Sequence, residues 1–189
     1  MRKITSAIAI CLSLTGCFGD DTTETTTTLP SVTLYQGNGY SIEIPNDWEI
    51  MEKQQLTSNF PAATDATFRN NIKNELYTDN IVVSIRNLDE SANYVDFAKG
   101  MQANAQKSLL DYVQTDSQER TMEIGELKIP TITYQFQGRK SPLDPVINFQ
   151  ELYTVHNGLG YSVTASYHST TSEKSINTLQ NILNSFTLQ

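Results

Sequence analysis

Apolar side chains along this chain recur at two periods, and the switches between them lay out its elements. Tyr40-Ser41-Ile42-Glu43-Ile44 alternates apolar and polar positions, stops at Pro45, and resumes at Trp48-Glu49-Ile50. A period of two puts alternate side chains on one face of an extended chain, so each run predicts a half-buried strand. Residues 80–88 carry Ile81, Val83 and Ile85 on one face and Val82 on the other, the pattern of a strand buried on both sides. Between these runs, residues 53–79 are polar, with Phe60-Pro61 and Phe68 as the expected core contacts of a long connection.

From residue 93 to 112 the period lengthens. Tyr94, Phe97, Ala98, Met101, Ala105, Leu109 and Tyr112 fall at three- and four-residue steps, which predicts one helix with a single apolar stripe facing the core. Ser91 or Asn93 suits its N-cap, and Asp96 suits the positive end of its dipole. Three strands are expected next, over 118–124, 127–136 and 146–156, with the polar loop 138–145 before the last of them. In the final hairpin Tyr161, Val163, Ala165 and Tyr167 alternate with Ser162, Thr164, Ser166 and His168. Matching that apolar face to Phe149, Tyr153 and Val155 sets 155 opposite 161 and 149 opposite 167, with the turn at Asn157-Gly158-Leu159. Residues 172–186 then place Ile176, Leu179, Ile182, Leu183 and Phe186 on one face of a closing helix.

The opening Tyr35-x-Gly37-x-Gly39-Tyr40-Ser41-Ile42-x-Ile44-Pro45-x-x-Trp48 resembles the start of PsbP/Mog1-type domains. The close resembles them too: Tyr153, Asn157-Gly158, Gly160-Tyr161-Ser162-Val163-Thr164-Ala165, then a helix ending Asn184-Ser185-Phe186. The likeness spans most of residues 34–189 and is carried by apolar pattern and turn chemistry. It implies an α+β fold, a mostly antiparallel sheet flanked by helices on its faces, in agreement with the periodicities. It also implies a non-enzymatic role, since the family supplies extrinsic subunits and adaptors of larger protein assemblies.

The first residues have another character. Arg2-Lys3 precedes an apolar run to Leu14, followed by Thr15-Gly16-Cys17. That run falls short of the ~20 residues a stable membrane-spanning helix needs. It fits a lipoprotein signal peptide over 1–16 that is cut before Cys17, whose thiol then carries lipid. Two or three acyl chains would anchor the chain stably where one is marginal. Residues 17–31 are Thr-rich and lack an apolar period, so they are expected to form a flexible tether to a single domain over 32–189. Cys11 leaves with the signal peptide, so a mature chain holds one cysteine and no internal disulfide.

Composition narrows the partners. The net charge is −8, and losing Arg2 and Lys3 makes it more negative, which disfavours nucleic acid. No His-Glu-x-x-His, Gly-x-Ser-x-Gly or phosphate-binding glycine loop is present. His156 and His168 are the only histidines; the matched hairpin puts His168 opposite residue 148, about 25 Å from His156, too far to share a metal. Each is expected to be a hydrogen-bonded surface residue. The lone Trp48 is expected in the core.

Three residues draw attention as candidate site groups. Glu151 falls on the apolar face of the hairpin, opposite Ala165, where a carboxylate needs a partner; a salt bridge to Arg or Lys, or a place lining a cleft, would satisfy it. Arg139-Lys140 is a positive spot on an acidic protein, either a solvated loop tip or a docking contact. No catalytic set, metal-ligand set or cofactor site emerges. The expected function is therefore a non-catalytic binding or scaffolding module, lipid-anchored to a membrane of a bacterial cell envelope and bound to an envelope protein partner. A small-molecule or metal-binding receptor is the alternative, and a hydrolase the remote one.

Overall fold

The computed structural model describes residues 31–58, 60–71 and 76–189. Its first strands, β1 (Val32–Gln36) and β2 (Tyr40–Pro45), form a hairpin around Gly37-Asn38-Gly39. Gly37 has no room for a side chain, because a Cβ there would lie 2.1 Å from the Tyr40 ring. Next come β3 (Trp48–Glu52), a short 3-10 turn over Lys53–Gln55, β4 (Thr64–Asn70) and β5 (Asn80–Asn87). Helix α1 (Tyr94–Ser108) leads into β6 (Leu110–Ile124), β7 (Leu127–Arg139), β8 (Ile147–His156) and β9 (Leu159–His168). Helix α2 (Glu173–Ser185) and the two-residue β10 (Thr187–Leu188) close the chain.

Seven strands make one antiparallel sheet in the order β3-β4-β5-β9-β8-β7-β6, and β1-β2-β10 make a second. Helix α2 and the small sheet cover one face of the large sheet. The core lies between these layers: Ile42 and Ile44 of β2, Phe68 of β4, Val163 of β9 and Leu179 and Leu183 of α2 are all essentially inaccessible. Each such side chain contributes about 1.5–3 kcal/mol by leaving water. Helix α1 lies on the opposite face, over β6, β7 and β8, around a smaller cluster of Ala98, Ile132 and Tyr153. This is the helix-flanked antiparallel α+β arrangement expected from the periodicities. Trp48 and Phe68 are buried in the main core, as anticipated.

The helices begin where polar caps allow. Asn93 Oδ1 accepts the Asp96 amide at 2.9 Å, and Ser172 Oγ accepts the Ser175 amide at 3.2 Å. Helix α1 stops at Ser108, short of the expected 112. Leu109 turns extended and the chain enters β6 without a loop, so Tyr112 belongs to a strand and reaches back to α1 through its hydroxyl. Strand β6 also starts well before residue 118. Most of it is exposed on both faces, which removes the apolar alternation that would mark it. Strand β4 rose from the polar connection because Thr64, Ala66 and Thr67 are buried small or hydroxyl residues.

The hairpin register expected from the alternation is overturned. Val155 pairs with Gly160 and Phe149 with Ser166, one residue off the matched register. The turn is a two-residue one, Asn157-Gly158, with both φ angles positive at 50° and 73°. Asn-Gly is the preferred pair for this tight geometry, which follows the right-handed strand twist. A shift of one residue exchanges faces. Tyr161, Val163 and Ala165 therefore point into the core under α2, while Phe149, Glu151 and Tyr153 share the opposite face with Ser162, Thr164 and Ser166.

Candidate functional site

That second face of β9 bears a line of hydroxyls at the centre of a sheet. Strand β5 beside it places Asn80, Val82 and Ser84 on the same face, since Asn80 pairs with Ser166 and Ser84 with Ser162. Helix α1 contacts β6, β7 and β8 but leaves this strip uncovered. A concave cleft of about 630 Å³ results. Met101 in the middle of α1 and Leu109 just past its end wall it on one side, and Phe60, Pro61 and Tyr77 on the other. Phe149 and Ile147 of β8 complete the apolar lining. Phe60-Pro61 thus walls the cleft instead of filling the core.

The floor is pre-ordered by its own hydrogen bonds. Ser166 Oγ donates to Asn80 Oδ1 at 3.0 Å and lies 2.7 Å from the Tyr77 hydroxyl, while Asn80 Nδ2 donates to Tyr77 at 3.1 Å. Ser84 and Ser162 also line the floor, and their hydroxyls bond to no described residue. Among the described residues three cations, Arg86, Arg139 and Lys140, line the cleft with one acid, Asp144.

Arg139 and Lys140 thus meet at this cleft, where the end of strand β7 (Leu127–Arg139) runs into the loop. Arg139 is not a free tip: its guanidinium pairs with Asp111 at 2.6 Å and donates to the Pro142 carbonyl at 2.9 Å. Lys140 is exposed and makes no ion pair with a described residue.

Glu151 lies opposite Thr164, not Ala165, and has no basic partner among the described residues. Instead Thr164 Oγ1 donates to it at 3.0 Å, Gln102 Nε2 of α1 at 3.2 Å, and the Tyr153 hydroxyl directly. Tyr112 secures Gln102 from the other side, its hydroxyl 2.6 Å from Oε1. Burial pushes the Glu151 carboxyl up to about 7, against the pull of the Thr164 and Gln102 hydrogen bonds. A carboxylate away from water favours its neutral form, and donors only partly restore the charge. Glu151 sits behind the cleft wall and touches it through Thr164.

The histidines are far apart, at opposite ends of the β8–β9 hairpin: His168 pairs with Ile147 and His156 with Leu159. His168 is buried, contrary to expectation, and held by Thr170, whose hydroxyl lies 2.8 Å from Nδ1. Among the described residues no three His, Cys, Asp or Glu side chains cluster closely enough to hold a metal. Cys17 lies outside the described residues. The hydroxyl floor, Tyr77 and Arg86 were missed from the sequence. The usable signal was Ser162, Thr164 and Ser166, three hydroxyls alternating on a strand whose other face is core.

The class these features define is an antiparallel α+β domain with a PsbP/Mog1-like fold and a preformed cleft beside its first helix. No family model and no curated protein sequence matches the chain. Among solved structures, the chain resembles cyanobacterial PsbP (CyanoP) from Synechocystis sp. PCC 6803, with a TM-score of 0.61 and 16% identity over 87% of this chain and 96% of that one. It also resembles the Ran-binding protein Mog1p of Saccharomyces cerevisiae, with a TM-score of 0.50 and 11% identity over 84% and 96%. At such identities the likeness is one of fold.

Proposed function

We propose that this protein is a non-catalytic binding module, held by lipid on Cys17 to a membrane of the bacterial envelope, that receives an envelope protein partner in the α1-side cleft. The cleft carries the reading: a concave strip of about 630 Å³ with apolar walls, a hydroxyl floor and a cationic lip that includes Arg139 and Lys140. Loops and grooves on a rigid sheet are where binding residues concentrate. Mog1p, of similar fold, is named a Ran-binding protein. The Leu14-Thr15-Gly16-Cys17 motif supports the anchor, and the Thr-rich stretch after it supports a tether. The test is crosslinking from a photoreactive residue at Lys140 in intact cells, followed by mass spectrometry. One recurrent envelope protein, lost when Arg139 and Lys140 are reversed in charge, is the expected result. Absence of any captured protein refutes it.

A second reading, a receptor for a small molecule, is favoured by the cleft's size, which falls within the roughly 300–1,000 Å³ of small-ligand sites. A metabolite that copurifies with the protein and is lost in a Val82→Trp variant would select it.

A further inference from the structure

The charges of the cleft are distributed in a way its size alone does not explain. The chain carries net −8, yet among the described residues lining the cleft are three cations and a single acid. Arg139 is neutralised by Asp111, which leaves Arg86 and Lys140 without an ion pair to a described residue. These two stand at opposite ends. Arg86 pairs across the sheet with Gly160, whereas Gly138, two residues before Lys140, pairs with Ile147 and through it with His168. The run of β9 from Gly160 to His168 covers about 26 Å at roughly 3.3 Å per residue. One carboxylate or phosphate cannot reach both.

Between the two ends the chemistry suits an extended chain. The walls supply apolar contacts on both sides, from Phe60 and Tyr77 and from Met101 and Leu109. Ser84 and Ser162, whose hydroxyls bond to no described residue, present donors and acceptors along the floor to main-chain amides and carbonyls. Strand β5 is flanked by β4 and β9, so no free edge is available for a partner strand, and recognition rests on side chains. An acidic partner is repelled by the chain's net negative charge and attracted by the two cations of the cleft, which favours binding here.

Resting on the reading of the cleft as the binding site, we propose that its occupant is an extended acidic peptide segment of a partner protein, with two carboxylates about seven or eight residues apart meeting Arg86 and Lys140 and apolar side chains between them.

The probe is a fluorescein-labelled decapeptide with Asp at positions 2 and 9 and Leu, Phe and Ser between, titrated into the full chain in detergent and followed by anisotropy. Saturable binding is expected, weakened about fivefold when either Asp becomes Asn, as for an exposed ion pair. It should weaken similarly when the two Asp residues stand three apart. The double variant R86E/K140E should lose the acidic peptide and gain one with Lys at both positions, a rescue that a misfolded variant cannot show. Equal binding of the Asp and Asn peptides overturns the proposal. So does dependence on Lys140 alone with competition by dodecanoate, the behaviour of a single-headed anion. If no peptide binds but a photocrosslinker at Ser84 captures an envelope protein in cells, the acidic segment is refuted and the cleft stands. If neither occurs, both fall.

Discussion

Glu151 is a carboxylate set behind a wall of the cleft with three donors and no cation, and its replacement by Gln has a sharp consequence. Its pKa rises from 4.5 in the unfolded chain to about 7 in the fold, with burial as the main cause. Between those values the folded state binds the proton and the unfolded state does not. Stability therefore falls as pH rises: the contribution is whole below 4.5 and is lost through 7. At 1.36 kcal/mol per unit the loss is about 3 kcal/mol by pH 8. Glu151→Gln keeps the shape and removes the titration, though its amide faces Gln102 and the hydroxyls of Tyr153 and Thr164. That mismatch costs about 1 kcal/mol at every pH. The readout is thus the difference between the variants' urea-unfolding free energies at pH 5 and pH 8, not either value alone. The wild type should lose about 2–3 kcal/mol more than the variant across that interval, since part of the titration is already complete at pH 5. Equal losses would show that Glu151 is ionised throughout and that its surroundings are wetter than the hydrogen bonds imply.

Other perturbations have distinct signatures. Leu183→Ala, at a site with almost no exposure in the main core, should destabilise by about 2–5 kcal/mol in urea unfolding, whereas Leu143→Ala, fully exposed on the β7–β8 loop, should change nothing measurable. Gly158→Val forces a β-branched residue to a φ of 73° and should cost about 1–2 kcal/mol by the same measurement, with chemical-shift changes concentrated in β8 and β9. Arg139→Ala breaks a pair whose side chains are 30% and 56% exposed, so the expected loss is at most about 1 kcal/mol and shrinks in high salt. Cys17→Ser should move the protein from the membrane pellet to the soluble fraction; retention in the pellet would exclude lipid as the anchor.

The local period along the chain determined most of the elements. Strand β5 is two-sided in sequence because both its faces are covered or lined, and α2 is amphipathic because one face alone meets the core. Such signals survive in sequence since burial acts on each residue in turn. Resemblance in turn chemistry added the arrangement of helices on both faces. What tertiary structure decided was which faces meet. Strand β8 is apolar on both sides, with Leu152 toward α2 and Phe149 and Tyr153 toward α1, so alternation could not choose its register; the tight Asn157-Gly158 turn did. That one-residue difference moved Glu151 from an apolar neighbour to Thr164. The end of α1 was equally hidden, because Tyr112 continues the helical spacing while lying on a strand. Candidate residues Arg139 and Lys140 were legible as charge, but their partners were not: Asp111 is near in space only because β6 pairs with β7. The cleft itself had no local mark. It exists because α1 covers three strands of the sheet and leaves the hydroxyl face of β9 and β5 open, a property of layer geometry that no window of sequence contains.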